Sequence, residues 1–145
     1  MRLATHAIFT LGLVTYALTQ LHTGFATAWG LAVLAAAAQY YIDAIGHSRN
    51  HGYIHRTFIT HDAVIGLGTV TAPLTALPTL LLGTPLTASL LAATLSLYSH
   101  LLLDYLTGNV FVLTRRIHGH YMEYDNPGGN ALFIVIGLLL MFLAR

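Results

Sequence analysis

Two pairs of histidine and aspartate stand out because the members of each pair lie four residues apart in an apolar segment. His100 and Asp104 form one pair, and Asp43 and His47 form the other in reverse order. Residues at i and i+4 share one face of an α-helix, so each pair presents an imidazole and a carboxylate together. Such nitrogen and oxygen atoms are ligands for zinc and related divalent metals. One pair alone is more often a buried hydrogen-bonded pair, whereas two pairs at the same depth favour a metal site.

Other histidines extend this candidate metal site. His6 lies one turn into the first apolar segment and His61 lies just before the third, so helix ends bring both to the same depth as the two pairs. His118 and His120 diverge if their segment is helical, but both can reach a metal if it is a loop. We therefore keep both as candidate metal ligands.

The sequence lacks the motifs of several other chemistries. It has no Gly-x-Ser-x-Gly nucleophile motif, no Walker loop and no glycine-rich dinucleotide fingerprint. If the chain is an enzyme, its residues support hydrolysis by a metal-activated water molecule.

Composition restricts the class of protein that can position these residues. Of 145 residues, 56% are hydrophobic and 8% are charged, with no cysteine. Soluble domains devote about a quarter of their residues to charge, so this composition is typical of an integral membrane protein. A net charge of +1 also argues against a nucleic-acid partner, and the absence of cysteine excludes thiolate metal ligands.

The apolar segments predict an all-α fold, a single multi-pass membrane domain over residues 1–145 with about five transmembrane helices. The third segment contains Pro73 and Pro78, which predict a kink or break. The expected spans are approximately 3–21, 28–46, 64–82, 86–106 and 131–144.

The arginines predict an orientation. Five of the six precede the first span or lie in the two longer loops, and such positive loops face the cytoplasm. We therefore expect the N-terminus and the candidate site on the cytoplasmic side of the cytoplasmic membrane. The five are Arg2, Arg49, Arg56, Arg115 and Arg116.

Several short segments together resemble the YdjM-type membrane-bound metal-dependent hydrolases. These are small multi-pass proteins grouped with the zinc-dependent phospholipase C enzymes. The resemblance covers about residues 1–110. It rests on Thr5-His6, Ile42-Asp43, His55-Arg56, Thr60-His61 and the run Tyr98-Ser99-His100 with Leu103-Asp104 and Thr107.

The resemblance implies a zinc site with about one to three ions, or another divalent metal in their place. His100 and Asp104 would be ligands within a multinuclear cluster, and Asp43 a ligand or the general base that orients the attacking water. The further ligands that it implies are His6, His55, His61 and one of His118 and His120.

We expect the chain to hydrolyse a phosphoester of a phospholipid or isoprenoid phosphate at the membrane interface, with the lipid bilayer as its partner. Arg56 would stabilise charge on the phosphate. Two alternatives stay open: a divalent-metal transporter or sensor, and a non-catalytic membrane module whose His/Asp pairs only lock helices together. A transporter should carry ligands near the middle of its spans, whereas these candidates lie at one end.

Overall fold

The computed structural model describes residues 1–50 and 53–144, without the side chains of residues 49–50 and 53–55. Within these residues the chain forms six α-helices, one π-helical segment and two β-hairpins. In chain order they are α1 (Leu3–Gln20), α2 (Phe25–Gly46), β1 (His47–Asn50), β2 (Tyr53–Arg56), α3 (Phe58–His61), the π-helical segment (Leu67–Thr71), α4 (Ala72–Leu82), α5 (Leu86–Thr107), β3 (Asn109–Val112), β4 (Arg115–His118) and α6 (Pro127–Leu143).

Local sequence explains where several helices begin and end. Pro127 occupies the first turn of α6, where its missing N–H costs nothing, and the Asn126 side chain accepts a hydrogen bond of 2.7 Å from the Gly129 N–H. Gly83 ends α4 with a φ of 65°, a left-handed conformation that glycine adopts without a steric penalty.

The predicted irregularity in the third apolar segment lies within that segment, just before Pro73. Helix α4 continues through Pro78, and the π-helical segment precedes Pro73. The ring of a proline crowds the carbonyl four residues earlier, and the wider π-turn lies at that position.

Helices α1, α2 and α5 pack through small residues. The core between them includes Ala32, Ala35 and Ala92, all nearly inaccessible to solvent. Gly12 of α1 meets Gly137 of α6 so closely that a Cβ on either residue would overlap the backbone of the other helix. Such contacts let helix backbones approach closely, as in membrane bundles.

The prediction of an all-α fold is confirmed, because most of the described residues are helical. The number of membrane spans differs from the prediction of about five. In the described part of the chain, two helices, α2 and α5, are long and apolar enough to cross a membrane. Helix α1 contains His6 and four threonines, and the continuous helical stretch Leu67–Leu82 and helix α6 are shorter.

The two β-hairpins were not predicted. Strand β1 pairs antiparallel with β2, with His47 opposite Arg56, and β3 pairs antiparallel with β4, with Phe111 opposite Arg116. Each hairpin directly follows a long helix, α2 or α5.

Candidate metal centre

The polar end of the bundle is formed by the start of α1 and the ends of α2 and α5. His6 lies in the first turn of α1, Asp43 in the last turn of α2, and His100 and Asp104 in the last two turns of α5. His61 is the final residue of the short helix α3. The structure therefore brings together these five predicted site residues.

The ionisable side chains form two groups. The inner group is His6, His100 and Asp104, all buried, and the outer group is Asp43, His47 and His61. Within each group the candidate ligand atoms lie within 4.8 Å of one another. His47 completes the outer group as the second member of the predicted Asp43/His47 pair.

Asp104 lies at the centre of the inner group. Its Oδ1 atom is 3.4 Å from His6 Nε2, and its Oδ2 atom is 3.4 Å from His100 Nε2. Asp104 Oδ2 is buried and accepts no hydrogen bond from the described residues. A buried carboxylate oxygen without a donor is costly unless a cation neutralises it.

His61 connects the two groups. Its Nε2 atom lies 3.1 Å from Asp104 Oδ2, 3.3 Å from His100 Nε2 and 4.0 Å from Asp43 Oδ1. The His100 Nε2 atom is in turn 3.4 Å from Asp43 Oδ1. The two groups therefore form one continuous cluster.

A hydrogen-bond network sets the tautomer of His100. The Gln39 amide donates from Nε2 to Ser96 Oγ at 2.9 Å and faces the backbone carbonyls of Ala35 and Ser96, both at 3.2 Å. Carbonyl oxygens only accept, so the Gln39 NH₂ group must lie on that side and Oε1 must face His100. His100 Nδ1, 2.8 Å from that oxygen, is therefore protonated, and in the neutral ring Nε2 presents a lone pair to the cluster.

Thr60 sets the tautomer of His61 in the same way. Its hydroxyl donates to the Ile42 carbonyl at 2.9 Å, so it can only accept from His61 Nδ1, at 3.1 Å. The Nε2 lone pairs of His61 and His100 then converge with Asp104 Oδ2. A proton or a metal cation between these atoms would neutralise them, and nitrogen and oxygen donors of this kind fit a divalent metal.

Burial favours the neutral form of His61 and His47, which is the form that metal ligation requires. Desolvation lowers the pKa of His61 below its usual value, and the nearby Asp104 carboxylate only partly offsets this effect. The pKa of the half-buried His47 is also lowered, again mainly by desolvation, with Asp43 acting in the opposite direction. Both histidines therefore favour the form with a free lone pair near neutral pH.

Arg56 of strand β2 orients the Asp104 carboxylate. Its Nη2 donates to Asp104 Oδ1 at 2.9 Å, and its Nη1 donates to the backbone carbonyls of Asp104 and Asn109 at 3.3 and 3.4 Å. These contacts hold Oδ1 and leave Oδ2 facing the histidines. Arg56, predicted to contact a phosphate, thus already pairs with the carboxylate.

The structure does not bring the remaining histidine candidates into the cluster. His118 is exposed on β4, opposite Asn109. His120 is exposed, and its Nε2 lies 3.4 Å from Glu123 Oε1. Both belong to or follow the second hairpin, whose strand β4 faces solvent. The side chain of His55 lies outside the described residues.

A cavity of about 550 Å³ adjoins the cluster. Asp43, His47 and Asp104 line it on the side of the cluster, and Arg56 and Arg116 also line it. Asp43 and His47 are each about a quarter exposed, whereas Asp104 is 4% exposed. The outer group is therefore the part of the cluster that a ligand in the cavity meets.

Comparisons with curated proteins and with solved structures gave no significant match. The model of the DUF1286 family, described as a protein of unknown function, matches residues 1–113. This range contains every residue of the inner and outer groups. The chain therefore belongs to the DUF1286 family.

Proposed function

We propose that the chain is a membrane-bound metal-dependent hydrolase that acts on the phosphoester of a lipid or isoprenoid phosphate. The observation that supports this most directly is the convergence of His61 Nε2, His100 Nε2 and Asp104 Oδ2, three atoms that are all acceptors when both imidazoles are neutral. Zinc is the first candidate for the cation, because histidine and carboxylate ligands suit it. The inner and outer groups offer two adjacent positions for ions.

The cavity supports a catalytic role over a purely structural one. A bound divalent metal would polarise the phosphoryl oxygen and lower the pKa of its water toward about 7. Asp43, half-buried between the cluster and the cavity, would orient that water and accept its proton as the water oxygen forms a bond to phosphorus. The bond from phosphorus to the alcohol oxygen would break, and the same proton would pass to that leaving oxygen. Arg56 would keep the Asp104 carboxylate in place during this exchange.

The proposed membrane location rests on the outer surface of the bundle. Leu80, Leu81 and Leu82 of α4 and Val135 and Leu139 of α6 are each more than half exposed. Apolar surface of this extent requires cover other than water. We infer that the shorter helices lie in the bilayer beside α2 and α5, with the cluster at headgroup depth on the cytoplasmic side, as the arginines predict.

The resemblance to the YdjM-type hydrolases agrees with this proposal. The main alternative is a divalent-metal transporter or sensor, which would also place histidine and aspartate inside a helical bundle. Ligands at one end of the helices, next to a cavity, favour hydrolysis. A non-catalytic module whose pairs only join helices would hold no metal.

Metal analysis of the purified chain in detergent tests the proposal. We expect about one or two zinc ions per chain after loading, and loss of zinc in His100→Ala and Asp104→Ala with helicity retained. His22→Ala is the matched control, because His22 lies in the loop at the opposite end of α1. The wild-type chain should also release phosphate from a generic phosphoester such as para-nitrophenyl phosphate. The His100→Ala and Asp104→Ala variants should lose this activity together with zinc.

Two results would contradict the proposal. A wild-type chain that remains free of zinc and other divalent metals after loading excludes a metal-dependent enzyme. A chain that binds zinc stoichiometrically, hydrolyses no phosphoester and moves zinc into proteoliposomes is a transporter instead.

A further inference from the structure

Arg116 of strand β4 lies on the rim of the cavity beside the cluster. Arg116 is exposed. Both Arg116 and Phe111, which lies opposite it in the hairpin, line the cavity. The guanidinium carbon is 5.8 Å from the centroid of the Phe111 ring, a distance at which a cation is attracted to the ring face. The Phe111 ring therefore supports the Arg116 guanidinium at the cavity.

The hairpin that carries Arg116 is tied directly to the cluster. Asp62, the residue after His61, accepts a hydrogen bond of 2.6 Å from the Thr114 N–H at the hairpin turn. The next residue, Ala63, donates its N–H to the Phe111 carbonyl at 2.9 Å. The position of the hairpin relative to His61 is therefore fixed by these two short hydrogen bonds.

The turn of this hairpin needs that support. Leu113 and Thr114 have positive φ angles of 48° and 66°. Two such residues in succession form the turn type that normally uses Asn and Gly. Residues such as leucine and threonine adopt this backbone conformation only with steric strain. Asp62 holds the strained turn by its bond to Thr114, which keeps the hairpin and its Arg116 over the cavity.

The two arginines of the cavity differ in their partners. Arg56 is paired with Asp104, whereas Arg116 has no carboxylate within ion-pair distance among the described residues. The charged groups that line the cavity are Asp43 and Asp104, these two arginines, and the N-terminal ammonium of Met1, which lies 4.0 Å from Asp104 Oδ1. The negative charges do not exceed the positive ones, so any bound divalent cation makes the cavity positive and leaves Arg116 available to an anion.

We propose that Arg116, supported by Phe111, is the substrate-binding residue that holds the phosphate oxygens of the substrate at the cavity rim. This inference rests on the proposed function, and it transfers the phosphate contact from Arg56 to Arg116. A planar guanidinium can donate two parallel N–H bonds to two oxygens of one phosphate. The ligand class is a phosphate monoester or free phosphate, whose two negative charges suit a cavity with a net positive charge.

The neighbouring Arg115 gives a matched control. It has the same charge, is exposed on the same strand and is not among the residues that line the cavity. We would measure binding of inorganic phosphate to the zinc-loaded chain in detergent for the wild type, Arg116→Gln and Arg115→Gln. A second arm would use mixed micelles that contain phosphatidic acid, to separate a lipid headgroup from free phosphate as the source of the anion.

We expect Arg116→Gln to weaken phosphate binding by about tenfold, as the loss of one charge-assisted contact implies, and Arg115→Gln to leave it unchanged. A loss in both arms identifies the phosphate group itself as the ligand, and a loss only with phosphatidic acid identifies the lipid headgroup. Equal losses in the two variants, no loss in either variant, or no binding by the wild type in either arm would overturn the proposal.

Zinc content, measured on the same samples, separates this inference from the proposed function. If zinc is bound normally and Arg116→Gln does not change phosphate binding, the role of Arg116 is refuted and the proposed metal centre stands. A chain without zinc that still loses phosphate binding only in Arg116→Gln refutes the metal centre and supports the anion site. Because Arg116 is exposed, its substitution should not disturb folding.

Discussion

The nitrogen that His100 presents to the cluster depends on Gln39, a residue outside both ligand groups. Gln39 is fully buried in α2. Its amide nitrogen donates to oxygens of Ser96 and Ala35, and its amide oxygen accepts from His100 Nδ1. Residues that orient a histidine ligand through its second nitrogen contribute to metal affinity almost as strongly as the ligands themselves. Gln39 is thus a positioning residue for the proposed metal centre.

Replacing Gln39 with methionine tests this role at nearly constant volume. Gln39→Met removes the acceptor of His100 Nδ1, so the imidazole can rotate or change tautomer, and we expect zinc affinity to fall about 10–100-fold. Competition with a chelator of known affinity measures the change. Gln20→Met is the control, because Gln20 is exposed at the end of α1. Unchanged affinity in Gln39→Met would show that the tautomer of His100 is set in another way.

The sequence predicts those members of the cluster whose positions follow from local spacing. His100 and Asp104, like Asp43 and His47, lie one helical turn apart, so their spacing alone indicates a shared face. Gln39 gives no such signal, because it is a single glutamine after four alanines and its partner His100 is 61 positions away. Arg116 contributed to the predicted orientation, but its place at the cavity could not be predicted, since it depends on a hairpin that is held by Asp62.

At the scale of elements, the end of α2 and the short helix α3 must approach very closely to place His61. A Cβ on Gly46 would overlap Thr60 Oγ1 and the His61 ring. Gly46 is the last residue of α2, and its φ angle is not positive, so close approach rather than backbone freedom requires glycine here. This contact positions both His61 and the hydroxyl that sets its tautomer.

Gly46→Ala should therefore displace His61 and reduce zinc binding. The matched control is Gly30→Ala in the same helix, where an added Cβ meets nothing within 4 Å. Alanine favours a helix over glycine by up to about 1 kcal/mol, so the control should be neutral or stabilising. Zinc content and thermal unfolding of both variants measure the contrast. Equal behaviour of the two variants would mean that α2 and α3 do not need this close approach.

The elements themselves were predictable to different degrees. Long apolar runs predicted the positions of five helical stretches, because apolar length and composition are local properties. The hairpins were missed because their strands have four residues each and little alternation of polar and apolar side chains. Contacts with distant parts of the chain support their pairing, for example the hydrogen bond between Asp62 and Thr114. Such contacts cannot be predicted from the local pattern of residues.

At the scale of the whole molecule, the cluster is buried in a bundle whose exterior is apolar. The inner group is almost inaccessible to solvent, while leucines and valines of α4 and α6 are widely exposed. A soluble protein would reverse this distribution, with its exposed apolar side chains scattered among charges. The distribution instead suits a bundle in which the helices face lipid and the polar end faces the headgroups.

A single arginine in the middle of α6 distinguishes lipid from water around the bundle. Val135 is the central residue of this 17-residue helix and is 51% exposed. If α6 faces lipid, Val135→Arg costs about 2.5–3.5 kcal/mol and sharply lowers the yield of chain that resists alkaline extraction from membranes. In water, an exposed substitution changes stability by about 0.5 kcal/mol or less. Leu21→Arg, in the loop after α1, should be tolerated in both cases. Equal yields for the two variants would place α6 outside the bilayer.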